Sequence, residues 1–421
     1  MDARQLVLWR GEVGSEGTTA GKSPDASLGA AHSTASVARA CAISTMPAVT
    51  EVVVAGGADI YYRDRYWNDL PRVVEYLNER ATGAPHPGWM HHLLAIRGEP
   101  FERALVLNSG NGWVERELIR LGVVHSAVGV EHQPALVEQA RSEAEAAGLP
   151  ATYVQLDTNT GAFPDGPYDL VVNHAAGHHI AYLDRVFRRV AELLPPNGIL
   201  ASWDYVGPHR NQYPAALWEA AWYVNRQLPE RFRSQMVYDD VADMIAGDPS
   251  EAVHSELLLG VINRYFEVFH HRDLGGPIGY LLLTHNAALL DAAEDEAAEL
   301  VEQILAADTA LVEADPSMNL FAYVLGRPRK SVLEDAAQLS RWTAEEDERE
   351  LRAAANGGRY YQPTLIAELT AALRRAESAL ASGTEPTAPT RNRRREARPS
   401  LLRALRRVAG AKLGGAGAQP G

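Results

Sequence analysis

The sequence is poor in cysteine, in long apolar runs and in positive charge, and each shortage excludes a class of protein. Cys41 is the only cysteine among 421 residues, so no disulfide forms within the chain and no group of thiolates binds a metal. No apolar run approaches the roughly 20 residues that cross a bilayer, and the first residues lack the basic-then-apolar order of a secretory signal. We therefore expect a cytoplasmic protein with no transmembrane segment.

Positive charge is also in short supply. The 40 Lys and Arg face 54 Asp and Glu, which gives a net charge of −14 and argues against a specific nucleic-acid partner, because phosphate contacts need a basic face. Residues 391–421 are the exception, with nine Lys or Arg against one Glu. Weak contact with anionic surfaces is expected of this tail alone.

Composition and periodicity divide the chain into five segments. Residues 1–50 are rich in Gly, Ala, Ser and Thr without a sustained period, which is typical of a disordered leader. Residues 51–101 form a helical lead-in, 102–328 the main domain, and 329–383 a helical extension. A Pro- and Thr-rich linker then opens the basic, disordered tail at residues 384–421.

The main domain alternates short apolar runs with amphipathic helices. Such alternation predicts an α/β fold with a Rossmann-like, doubly wound and mostly parallel sheet. Two later runs, at residues 264–269 and 320–325, complete seven strands and flank a helical insertion. The first five strands are expected at residues 104–107, 127–131, 152–156, 168–172 and 199–203.

The first strand runs into a glycine-rich turn and then a helix. The turn reads Asn108-Ser109-Gly110-Asn111-Gly112-Trp113. Glycine lets backbone bend sharply and pass close to a nucleotide, since a Cβ would be in the way. Asn108 tolerates left-handed backbone better than most residues and can make the first bend. Alone, such a turn is equally typical of an ordinary strand-to-helix connection.

Polar residues close the next three strands, where parallel sheets bind ligands. Glu131 follows Gly112 by 19 positions, the spacing at which a carboxylate accepts both hydroxyls of a ribose. Asp157, with Thr158 beside it, can accept from an adenine amino group. These ends predict a nucleotide pocket, and we include in it the neighbouring His132 and Asn173.

In these motifs the chain resembles the class I S-adenosylmethionine-dependent methyltransferases, in a bacterial branch of that superfamily. The superfamily motifs are the turn itself, Gly129-Val130-Glu131, Leu156-Asp157-Thr158-Asn159, residues 168–172 with His178-His179, and Leu194-Pro195-Pro196-Asn197-Gly198. The similarity to the bacterial branch is in residues 204–212 and 248–286. The resemblance implies S-adenosylmethionine as cofactor and methyl transfer as reaction. It implies a cofactor site built from Asn108, Ser109, Gly110, Gly112, Trp113, Glu131, His132, Asp157, Thr158 and Asn173.

The chain departs from the family at two positions. Asn108 stands where the family usually has Gly, and Val106 where it usually has an acid. A catalytically degenerate domain that serves as an interaction scaffold is therefore the alternative. A hydride-transferring enzyme is the nearest rival and is disfavoured, because its Gly-x-Gly-x-x-Gly pattern would need glycine in place of Glu115.

Candidate catalytic residues follow strands four and five. His174, His178 and His179 are expected on the acceptor side, and one of them is a candidate general base, since neutral imidazole is present near pH 7. Local packing or helix capping is an equal alternative for each. Asp204 and Tyr205 end strand five and are expected to face the pocket. No metal site is expected, because adjacent His178 and His179 would project in different directions from a helix. The acceptor is not identified, with a small molecule or glycan favoured, and the oligomeric state is left open.

Overall fold

The computed structural model describes residues 65–292 and 295–355. The predicted leader (1–50), part of the lead-in, the end of the helical extension and the basic tail (384–421) lie outside the described residues. The described ranges contain almost all of the predicted main domain and the beginning of the helical extension.

Seven strands form one sheet, in the order β3-β2-β1-β4-β5-β7-β6. Strands β1 to β5 are mutually parallel, whereas β7 is antiparallel to both β5 and β6. The predicted α/β, Rossmann-like and mostly parallel seven-stranded sheet is confirmed. The strands are β1 Phe101–Leu107, β2 Val124–Glu131, β3 Ala151–Gln155, β4 Leu170–His174, β5 Ile199–Tyr205, β6 Phe266–Gly275 and β7 Phe321–Pro328.

Helices precede the sheet, connect its strands and follow it. They are α1 Pro71–Thr82, α2 Trp89–Arg97, α3 Trp113–Arg120, α4 Pro134–Ala146, α5 Leu183–Leu193, α6 Ala215–Gln227, α7 Val241–Gly247, α8 Leu258–Tyr265, α9 Gly279–Leu283, α10 Ala287–Leu290, α11 Asp295–Ala314, α12 Lys330–Leu333 and α13 Ala336–Ala355. The 3-10 turns Gly177–His179 and His209–Asn211 matter for the site below. No helix within residues 65–292 and 295–355 combines the length and apolarity that a bilayer crossing requires.

Apolar side chains cover both faces of the sheet. Val106 and Val172 face a core shared with α1 and α2, whereas Leu105 and Val171 face a second core shared with α5 and α8. This two-sided burial explains why the parallel strands are nearly continuous apolar runs in the sequence. Because both faces of the sheet are buried, the polar residues of these strands lie at the strand ends.

Two segments differ from the sequence prediction. The fourth strand begins at Leu170, later than predicted. The carboxylate of the preceding Asp169 accepts from the backbone N–H groups of Glu102 and Arg103 at 3.1 and 3.0 Å. The helical insertion predicted between the last two strands is divided into three helices, α9, α10 and α11. The break between α9 and α10 coincides with His285, whose φ of 61° is left-handed.

The chain between β5 and β6 covers the carboxyl end of the sheet. It carries α6, α7 and α8, and its segment 247–251 returns to the ends of β4 and β5. Arg210 fixes this return by donating to the carbonyls of Asp248, Glu251 and Pro249 at 3.3, 2.8 and 2.6 Å. This β5–β6 insertion, which is separate from the helical insertion predicted between β6 and β7, therefore supplies one wall of the site.

Candidate functional site

The glycine-rich turn has the left-handed backbone that its sequence indicates. Asn108, Gly110 and Gly112 have φ values of 44°, 56° and 75°. A Cβ at Gly112 would lie 2.4 Å from the Tyr153 ring, so this position needs glycine for both conformation and space. The Tyr153 hydroxyl donates to the Gly112 carbonyl at 3.0 Å, which ties the turn to β3.

Asn108 both makes the first bend and joins two loops. Its Oδ1 accepts a hydrogen bond from Thr158 Oγ1 at 2.9 Å, and its Nδ2 donates to the Ala176 carbonyl at 3.2 Å. Glycine would supply the bend but neither bond. The departure from the family pattern at this position is thus compatible with an intact turn.

The Glu131 carboxylate lies under the turn and is almost buried. It accepts from the backbone N–H groups of Gly110 at 3.0 Å and Gln133 at 2.9 Å. Burial raises the pKa of Glu131, but hydrogen bonds from His132, Gln133 and Gly110 outweigh burial, so the net shift is downward. Glu131 is therefore a carboxylate at neutral pH.

A cavity of about 500 Å³ opens at the carboxyl ends of β1, β2 and β4. Nine of the predicted site residues line it, which places them on one connected surface. These nine are Asn108, Ser109, Gly110, Trp113, Glu131, His132, Asp157, Thr158 and His174. Val114 and Leu136 add apolar area, and Gly247, Asp248, Pro249 and Ser250 add the wall from the insertion.

Asp157 reaches the cavity with its carboxylate already engaged. Its oxygens accept from the Asn159 backbone N–H at 2.9 Å and from Thr160 Oγ1 at 3.0 Å, which closes a tight turn after β3. Burial raises the pKa of Asp157, but these bonds outweigh burial and the net shift is downward. Its proposed contact with adenine stays a prediction.

Asp204 does not face the cavity, and that expectation is wrong. Its side chain is completely buried. Its Oδ2 accepts from Asn173 Nδ2 at 2.8 Å and from the backbone N–H of Gly177 at 2.6 Å. Its Oδ1 lies 2.6 Å from His178 Nδ1. Asp204 is therefore the centre of a polar network behind the cavity wall.

Asn173 and Tyr205 are likewise behind the wall rather than in it. Asn173 is fully buried and donates to Ser202 Oγ at 2.8 Å in addition to Asp204. The Tyr205 hydroxyl donates to the Pro208 carbonyl at 3.1 Å. Their predicted contacts with cofactor or acceptor are not supported, because β4 directs the Asn173 side chain, and β5 the Tyr205 side chain, into packed surroundings.

His178 and His179 share the turn Gly177–His179 rather than a regular helix. His178 is buried against Asp204 and does not line the cavity, which corrects its placement in the pocket. Burial lowers the pKa of His178, but the Asp204 carboxylate outweighs burial and the net shift is upward. His179 does line the cavity, so His174 and His179 are the two of the three histidines that face it.

His174 stands between two cavities. Its ring stacks on Trp89 at 5.3 Å and meets the edge of Trp113 at 5.0 Å. His174 and Trp113 also line a second, smaller cavity of about 90 Å³ with Trp89, Met90 and Trp203. Burial lowers the pKa of His174 to about 4, so the imidazole is neutral at pH 7.

Glu115 is a buried acid beneath the turn that the sequence did not mark as part of the site. It lies on α3, and a Cβ at Gly129 would be 2.2 Å from its Oε1. Tertiary packing sets its position between α3 and β2. The family pattern, in contrast, usually has its acid at the position of Val106. The available signal was an acid in the first turn of a helix that follows the glycine turn.

Comparison with known proteins agrees with this geometry. Residues 105–202, from β1 into β5, match the family model described as a methyltransferase domain. The chain contains a class I methyltransferase domain. This domain holds the glycine turn, Glu131 and Asp157, whereas the insertion and β7 lie outside the match.

A curated relative of the methyltransferase domain is the demethylmenaquinone methyltransferase of Thermus thermophilus. The two are 27% identical over 120 residues, which is 28% of this chain and 54% of that protein. The chain therefore spans about half the length of the curated relative it matches.

Two solved structures are also similar to the methyltransferase domain. The [4+2]-cyclase SpnF is 16% identical, with 61% of this chain and 92% of that chain covered and a TM-score of 0.36. The PH0226 protein from Pyrococcus horikoshii OT3 is 14% identical, with 57% and 87% covered and a TM-score of 0.33. These TM-scores are low, and the Rossmann-like fold is identified by the strand order and by the family match.

Proposed function

We propose that the chain transfers a methyl group from S-adenosylmethionine to a small-molecule or glycan acceptor. The observation that carries the proposal is the 500 Å³ cavity in which the glycine turn and the ionised Glu131 meet at the strand ends. The family match supports the same cofactor. The single cysteine, Cys41, supports a cytoplasmic setting.

The cavity residues fit this cofactor. Gly110, which lines the cavity, leaves the turn without a side chain where an adenosyl group would approach, and Glu131 offers acceptor oxygens to ribose hydroxyls. Val114 and Leu136 provide apolar walls. Bound S-adenosylmethionine supplies a methyl group activated by a sulfonium sulfur.

Positioning is the main task of the protein side chains in such a transfer, because in-line displacement depends on alignment of donor and acceptor. Trp113 and His174 form the wall that the two cavities share. The smaller cavity, with Trp89, Met90 and Trp203, suits an apolar part of a small acceptor. Neutral His174 is the general-base candidate that the cavity retains, since its partly exposed ring lines both spaces.

The scaffold alternative loses its main support. It rested on Asn108, which takes the left-handed bend and adds two hydrogen bonds. The calorimetric titration and the methyl-transfer assay together distinguish the scaffold from the enzyme.

The test is calorimetric titration of the purified chain with S-adenosylmethionine, followed by transfer of labelled methyl to small-molecule and glycan fractions of a host extract. We expect one cofactor per chain and labelled product in one fraction. No heat of binding at millimolar cofactor would overturn the proposal. Binding with no labelled product in any fraction would favour the scaffold.

A further inference from the structure

Three potential metal ligands converge at one edge of the cofactor cavity. His178 and His179 come from the turn after β4, and Glu251 comes from the insertion between β5 and β6. The two imidazole centroids are 4.1 Å apart, with 39° between the ring planes. The turn Gly177–His179 thus directs both rings to the same side, which a regular helix would not do.

The distances suit ligands of a shared cation better than direct hydrogen bonds. Glu251 Oε2 lies 3.8 Å from His178 Nε2 and 3.7 Å from His179 Nε2. Hydrogen bonds between such atoms are shorter, about 2.7–3.2 Å. Two ligands at about 2.0–2.1 Å from one tetrahedral ion are separated by about 3.3 Å, which is close to both carboxylate–imidazole separations. All three donor atoms lie within 4.8 Å of one another.

Both imidazoles are oriented from behind through Nδ1. His178 Nδ1 lies 2.6 Å from Asp204 Oδ1, and His179 Nδ1 lies 3.1 Å from Ser250 Oγ. Histidines that bind metals characteristically use the second ring nitrogen in this way, since the partner fixes the tautomer and the direction of Nε2. Orienting His178 for a metal ion gives the buried polar network around Asp204 a role beyond local packing.

The location connects these residues with the cofactor cavity. His179 lines that cavity together with Asp248 and Ser250. Three protein ligands leave coordination positions for water or for another molecule, as is typical of catalytic rather than structural metal sites.

We propose that His178, His179 and Glu251 form a binding site for one divalent first-row transition metal ion of the zinc, cobalt or nickel type. Imidazole and carboxylate are ligands that such ions share. Metal binding stands independently of the methyltransferase activity. If the proposed function holds, an open coordination position would hold an oxygen atom of the acceptor beside the cofactor.

The test uses the full chain without a histidine tag, treated with chelator and titrated with Co²⁺. We expect visible ligand-field absorption that saturates at one ion per chain, and competition by Zn²⁺. Glu251→Gln and His179→Gln should each weaken binding about tenfold or more. His125→Gln, on the exposed end of β2, is the matched control and should bind as the unchanged chain does.

Two further measurements keep the result interpretable. Circular dichroism checks that each variant is folded, and cofactor titration of the chelator-treated chain reports on the methyltransferase proposal separately. Asp204→Asn should also weaken Co²⁺ binding, because the amide lacks the negative charge beside His178 and places an N–H donor against the donors of Asn173 and Gly177. Failure of the unchanged chain to bind Co²⁺, or equal binding by folded Glu251→Gln and His179→Gln variants, would overturn the metal site.

Discussion

Thr158 Oγ1 donates a 2.9 Å hydrogen bond to Asn108 Oδ1, and this bond links the loop after β3 to the first bend of the glycine turn. The Asn108 amide also donates to the Ala176 carbonyl after β4 at 3.2 Å. One side chain therefore joins the loops that follow β1, β3 and β4. Asn108, which departs from the family pattern, thus stabilises the arrangement of the loops around the cavity.

Replacement of Asn108 should separate backbone strain from lost bonds. Asn108→Gly keeps the bend and loses both hydrogen bonds, which we expect to cost about 1 kcal/mol of unfolding free energy. Asn108→Ala also places a Cβ-bearing residue at positive φ without a polar group, which adds about 1 kcal/mol. Urea unfolding measures both values.

Asn263→Ala is the control for this pair. Asn263 lies exposed on α8 and bonds only locally to the Leu259 carbonyl among the contacts described, so its change should stay within about 0.5 kcal/mol. An Asn108→Gly variant as stable as the unchanged chain would show that the loop bonds contribute nothing.

Glu131→Gln should weaken cofactor binding more than it changes the fold. The substitution preserves shape but removes the negative charge and replaces one acceptor oxygen by a donor that opposes the Gly110 or Gln133 N–H groups. We expect the S-adenosylmethionine dissociation constant to rise about 10- to 100-fold, since hydrogen bonds to charged groups contribute about 1.5–3 kcal/mol. Calorimetry measures the change.

Glu138→Gln provides the comparison, because Glu138 is a highly exposed acid on α4. Its affinity for S-adenosylmethionine should match that of the unchanged chain. If Glu131→Gln also binds normally, the cofactor does not contact Glu131 and the assignment at the end of β2 is wrong.

The sheet and the glycine turn were predictable because their signals are local. Each parallel strand is an apolar run within a few residues of its observed bounds, and Gly112 and Glu131 have a spacing set by one helix and one strand. The existence of β6 and β7 also follows from the pattern. These features depend on chain segments that are contiguous in sequence.

The polar network was not predictable from such signals. Asp204 ends a strand, as a pocket residue would, yet its carboxylate is turned away from the cavity by donors from Asn173 and Gly177. Glu251 reaches His178 across more than seventy positions through the insertion. Tertiary packing decides which way a side chain points at the end of a strand. It also decides where the β5–β6 insertion folds back onto the sheet, and the periodicity of the sequence predicts neither.

Residues after β7 pack against the methyltransferase domain, so Leu339→Ala should destabilise it. Leu339 is buried on α13 in the core shared with α5 and α8, and nearby Trp342 meets the Tyr265 ring edge-on at 5.4 Å. We expect a loss of about 2–5 kcal/mol in urea unfolding. Leu351→Ala, at a position 71% exposed on the same helix, should change stability by less than about 0.5 kcal/mol. Equal effects of the two would mean that α13 does not share the core.

Stability should fall as pH rises because of Glu115. Burial raises the pKa of Glu115 from 4.5 to about 8, so between these values the folded state retains a proton that the unfolded state releases. The free energy of unfolding must then decrease with rising pH, by at most about 1.4 kcal/mol per pH unit from this group.

Glu115→Gln removes that titration while keeping the size of the side chain. Relative to the unchanged chain, the variant should gain stability steadily from about pH 5 to about pH 8, because it has no carboxyl group to ionise in the buried position. Urea unfolding at intervals across this range measures the difference. Glu145→Gln, an exposed acid on α4, should leave the pH profile unchanged. A Glu115→Gln profile parallel to that of the unchanged chain would show that Glu115 titrates as an ordinary surface acid does, and that burial does not hold its proton.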